Sequence, residues 1–122
     1  MQEVNVTYFS AFSGANRLQK LNDFVQDRVT LMPHEMAIAT GCSLVEATAL
    51  LMLLYHLYIA DPYLLVFHKS HPFEMILKLP LEGGLPKLPL VCDLCEDEIT
   101  DPDSLFYDFE FKLKSNVQFR VY

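Results

Sequence analysis

Residues 33–62, PHEMAIATGCSLVEATALLMLLYHLYIADP, decide how this chain folds. Pro33 suits the first turn of a helix, where its missing N–H would be unpaired anyway. Ala37 lets two helices approach, and Gly41, four residues later, permits the positive φ of a tight turn. Ser43 opens a second helix, with Glu46 three residues on to complete a capping box. Met36, Ile38, Ala47 and Leu50 flank the turn at the spacings a small helix-turn-helix core needs. The expected helices run from about 33 to 40 and from about 43 to 60, where Asp61-Pro62 stops the second.

The composition of that second helix directs the functional reading. From Val29 to His68 there is no Lys or Arg, so a helix that would read DNA has nothing to hold phosphate or guanine. It is instead apolar on nearly every side, which fits a helix surrounded by its own protein or one with a face for a partner. Leu51, Leu54, Tyr55 and Tyr58 are the candidate partner-binding residues. The 122 residues carry a formal net charge of −7, which repels nucleic acid in the absence of a basic patch. A hydrophobic share of 52% supports a real core. The start, MQEVNVTYFS, has neither the basic residues nor the apolar run of a signal peptide. The most apolar run, 47–60, is too short for the ~20 residues of a membrane span. A cytoplasmic protein is expected, and three cysteines do not make a disulfide framework.

Working outward, Val4, Val6 and Tyr8 alternate with polar residues as a short strand or arm. Leu18, Leu21, Phe24, Val25 and Val29 recur at helical spacing, predicting an amphipathic helix over about 16–27. After the helix pair, 63–67 and 73–79 read as two strands. Pro80 to Pro89 reads as a loop. Leu105, Tyr107, Phe109, Phe111 and Leu113 alternate with polar partners, and Val117, Phe119 and Val121 alternate again, predicting a C-terminal hairpin. The expectation is an α+β fold of two parts: residues 1–79, an arm with three helices and a β-wing, and residues 80–122, a knuckle-like loop and hairpin.

Cys92-x2-Cys95 has the spacing of half a zinc knuckle, because two intervening residues turn both sulfurs toward one ion. His68 and His71 offer the other half, giving a Cys2His2 set that would clip the wing to the C-terminal hairpin as a structural zinc. The alternative is two loop histidines and two ordinary reduced thiols. A redox role lacks its helix after a strand. Cys42 reads as a buried structural thiol, His56 as a core or interface histidine, and His34 as a solvated helix-start residue. Glu96, Asp97, Glu98, Asp101, Asp103 and Asp108 read as a solvated acidic edge, since the order and glycine of a calcium loop are missing. No phosphate-binding glycine loop, nucleophile elbow or zinc-protease motif occurs, so no active site is visible.

On PHEMAIATG, SLVEATALLMLLYHLYIADP and LLVFHKSHPFEMILKL, residues of about 16–79 resemble the winged helix-turn-helix superfamily. Its members bind DNA through the helix that 43–60 matches, or have given up DNA and dock proteins. The C-x2-C segment and terminal strands are also similar to small accessory components of bacterial multi-protein defence systems. The resemblance with the missing basic residues implies a non-enzymatic interaction module, an adaptor or regulatory subunit whose partner is another protein chain or a second copy. A DNA-binding regulator is the competing expectation; a zinc enzyme would lack an open metal position.

Overall fold

Val4 and Val6 are buried and Asn5 between them is exposed, the alternation that makes β1 (Gln2–Asn5) a strand. In the computed structural model, which describes residues 1–122, Leu21, Phe24 and Val25 supply the buried face of α1 (Ala15–Val25). A two-residue strand, β2 (Thr30–Leu31), comes before α2 (Pro33–Thr40) and α3 (Leu44–His56). The chain then forms β3 (Ala60–His68), β4 (Met75–Pro80), β5 (Leu90–Val91), β6 (Glu98–Ile99), β7 (Leu105–Leu113) and β8 (Val117–Arg120). The α+β class is as expected.

The helix pair has the expected local chemistry. Pro33 stands in the first turn of α2, and Gly41 caps its end at φ +77°. Ser43 Oγ accepts from the Glu46 amide at 3.1 Å and Glu46 Oε1 accepts from the Ser43 amide at 3.1 Å, closing the capping box. The chain direction changes by 119° between the two helices. No single helix is long and apolar enough to cross a membrane.

The far end of α3 is less ordinary. Tyr58 N–H donates to Tyr55 O at 3.0 Å and Ile59 N–H to Leu54 O at 2.9 Å. These are the two hydrogen bonds of a Schellman ending, whose turning residue is usually glycine. Here it is Tyr58, at φ +60°. The helix therefore stops at His56, short of the expected 60, and the chain from Ala60 is already strand.

The chain divides into two compact units, Met1–Asp61 with Phe111–Tyr122, and Pro62–Glu110. The expected division at 79/80 is therefore corrected, and strand pairing is the reason. β8 pairs in parallel with β1, in the register Gln2↔Val117 to Asn5↔Arg120, and β7 pairs with β2 through Thr30↔Lys112 and Leu31↔Phe111. These bonds return the end of the chain to the helices. They also correct the predicted C-terminal hairpin, because β7 and β8 lie in different sheets. The four-stranded sheet has the order β2-β7-β3-β4, and β3 and β4 form the expected antiparallel ribbon.

In the first unit the core gathers Phe12, Leu21, Met36, Leu50, Phe111 and Phe119 with their neighbours. Asn22 of α1 fastens β8 to it: its amide nitrogen donates to Phe119 O at 3.0 Å, and its oxygen accepts from Phe119 N–H at 2.8 Å. The second unit has a smaller core of Leu64, Val66, Cys92, Ile99 and Leu105.

Candidate metal centre

The period of β3 places the first donor. Residues 64, 66 and 68 are all buried, so His68 follows Leu64 and Val66 on one face of the strand. A register shift against β4 falls between Val66 and Phe67, just before it. Lys69 N–H donates to Ser104 O at 2.9 Å and His71 N–H to His68 O at 2.8 Å, which fix the turn that follows.

The other two donors come from a tight loop between β5 and β6, strands of two residues each that were too short to recognise by alternation. Cys92 N–H donates to Asp97 O at 2.9 Å and Glu96 N–H to Cys92 O at 2.7 Å, folding the loop back on itself. Glu96 adopts φ +63°, a left-handed conformation that costs a side chain of this kind energy. The amides of Cys95 and Leu94 are directed at the Cys92 sulfur, and the amide of Asp97 at the Cys95 sulfur. A loop built this way presents N–H donors to two sulfurs, the arrangement that stabilises thiolates.

His68, Cys92 and Cys95 bring their donor atoms within 4.8 Å of one another, with His68 and Cys92 buried and Cys95 half-buried. Cys95 Sγ lies 3.6 Å from His68 Nδ1. Donors around a tetrahedral ion with bonds of about 2.0–2.3 Å stand roughly 3.3–3.8 Å apart, so the group is compatible with metal binding. Burial, the largest influence on Cys92, pushes its thiol up, but the Cys95 and Leu94 amides and the Cys95 thiol outweigh it, and the net shift is down. At Cys95 the Asp97 amide acts downward, yet burial, the Cys92 sulfur and the Asp97 carboxylate together push the thiol up.

Of the four expected ligands, three come together and His71 does not join them; its ring centre lies 6.2 Å from that of His68. The expected clip to a C-terminal hairpin is also corrected. The group links the end of β3 to the β5–β6 loop, because there is no such hairpin. What sequence reasoning missed is the supporting backbone: the left-handed Glu96 and the amides of Leu94 and Asp97. A turn at C-x2-C was the available signal, and only a glycine at position 96 would have made it stronger.

The expected partner-binding residues fall in different places. Leu51 and Leu54 are corrected: both are 0% exposed, in the core with Ala47 and Leu50. The helix buries this three-and-four-spaced face in its own unit, and Tyr55 packs partly against the same core. Tyr58, 82% exposed, is the one of the four that faces solvent. The exposed apolar residues near the helix pair are Ile38, Leu44, Val45 and Leu57. Cys42, expected to be buried, is half-buried against the core and accepts from the Thr40 hydroxyl at 3.1 Å. His56 is exposed, beside the Tyr55 ring.

No protein family, no curated protein and no solved structure matches the chain.

Proposed function

We propose that this chain is a non-enzymatic interaction module, an adaptor or regulatory subunit that docks another protein chain from the helix pair. The observation that carries this reading is the solvent side of α2 and α3. Ile38 is 83% exposed, Val45 79% and Tyr58 82%, with Leu44 and Leu57 also exposed and no Lys or Arg between 29 and 68. Exposed apolar side chains without cations suit a protein partner and oppose a phosphate backbone. The bend of 119° over a three-residue turn falls in the range of helix-turn-helix motifs. The β3–β4 ribbon that follows supports a winged-helix scaffold turned to docking. Tyr58 adds weight, since a bulky exposed residue in a strained backbone position points to use of its side chain.

In the same reading His68, Cys92 and Cys95 hold a structural zinc, the borderline-soft ion that mixed imidazole and thiolate donors suit.

The test is quantitative co-purification from the native source with wild type and with the pair Ile38→Glu and Val45→Glu, whose exposure makes them harmless to the fold. A protein retained in near-stoichiometric amount by wild type and depleted about tenfold or more by the double variant supports docking here. Partners retained equally by both would overturn it. Anisotropy titrations at low salt that detected tight duplex binding, weakening steeply as salt is added, would instead favour a DNA-binding regulator.

A further inference from the structure

The geometry points to His71 as the fourth ligand of the centre, so that the 68–71 turn and the β5–β6 loop together close a tetrahedral Cys2His2 zinc site. This rests on the reading of His68, Cys92 and Cys95 as zinc ligands. Three donors leave a structural zinc one short of its usual four. The His71 N–H bond to His68 O, at 2.8 Å, and the Lys69 N–H bond to Ser104 O hold the turn, so His71 approaches by rotating its side chain. The two rings are 6.2 Å apart between centres and tilted by 51°. Two imidazoles on one tetrahedral ion, each nitrogen about 2.0–2.1 Å from the metal, hold their ring centres roughly 5 Å apart. The observed separation exceeds that value by about 1 Å, and rotation about χ1 and χ2 carries an imidazole ring further than this.

Charge favours the same partner. Two thiolates and two neutral imidazoles neutralise a zinc ion, with one proton displaced from each thiol and released to solvent. Asp97 is the neighbouring acid, and its carboxylate acts on the Cys95 sulfur. Taking it as fourth ligand would leave a half-buried site with a net negative charge, which is costly. A water in the fourth position would make the open arrangement of a catalytic zinc, and a centre of that kind would be indifferent to loss of His71.

Cobalt(II), added to the full reduced chain, reads out the donor set. Wild type is expected to give thiolate-to-cobalt charge-transfer bands in the near ultraviolet and the intense visible bands of a tetrahedral ion. His71→Cys should raise the charge-transfer intensity by about half, as two thiolates become three. His71→Ala should shift the visible bands as water takes the vacant position, and weaken zinc in a chelator competition by at least about tenfold. Wild-type spectra and affinity in both variants would overturn His71 as ligand while leaving the three-residue reading in place. Absence of charge-transfer bands in wild type itself would overturn that reading and this inference together. If His71→Ala fails to fold, His71→Cys decides alone, because it keeps a donor at the position.

Discussion

Tyr58 and Asn22 are two residues whose importance lies in the backbone. At φ +60° Tyr58 occupies a position that glycine fills at lower cost, and its ring is in solvent. Relief of the left-handed strain, less the entropy glycine gains when unfolded, should make Tyr58→Gly more stable than wild type by about 0.5–1 kcal/mol. Urea denaturation measures this. A loss of stability would mean the ring contributes packing that its exposure does not suggest. The same substitution should weaken partner binding, so the two effects have opposite signs. Asn22 works the other way: its amide continues the ladder of β8 by bonding both the N–H and the carbonyl of Phe119. Asn22→Ala leaves two nearly buried backbone groups unpaired and should cost about 1–3 kcal/mol, with Asn22→Asp in between because it keeps only the acceptor. Equal stability of all three would exclude this role.

Among the elements, α3 was the most legible from sequence at its start and the least at its end. Ser43, Glu46 and Gly41 act through local hydrogen bonds and local φ, which neighbouring residues dictate, so the turn and cap were readable. Which side of an all-apolar helix is buried depends on what packs against it, and Leu51 and Leu54 were misassigned for that reason. Strand partners are equally non-local: the alternation of 105–113 and 117–121 was visible, but the pairing of β8 with a strand at the other end of the chain was not. At the centre, the spacing of Cys92 and Cys95 and their grouping with His68 were legible, whereas the left-handed Glu96 carried no signal. The cap makes its own prediction. Ser43→Ala should cost about 1 kcal/mol. The Ser43 amide first, and then its hydroxyl, hold the Glu46 carboxyl below its ordinary range, assisted weakly by Arg17 and opposed by burial. A carboxyl that titrates lower when folded contributes fully above its unfolded pKa of about 4.3, and the contribution disappears as pH falls through the lowered value. The stability gap between wild type and Glu46→Ala should therefore narrow on acidification below about pH 4. Denaturation curves at several pH values would reveal a constant gap if the cap were irrelevant.

At the scale of the whole molecule, the two units differ in what holds them. Eighteen buried residues form the core of the first, and five form that of Pro62–Glu110. So small a core is the usual setting for a metal that contributes folding free energy. Stripping metal with a strong chelator should abolish amide-exchange protection in β3, β5 and β6 while leaving that of α1 and α3 within a few-fold of its starting value. Uniform loss across the chain, or no loss anywhere, would contradict this. The pairing of Gln2 with Val117 has a further consequence for how the protein is made. On the ribosome β1 emerges long before β8 and stays unpaired until that strand follows it. Residues 62–110 come out earlier than the strand that completes the unit around them, so the inserted unit can reach its native state while the surrounding one is still open. The first unit to begin is the last to finish, and its closing step is the capture of an exposed edge strand by β8.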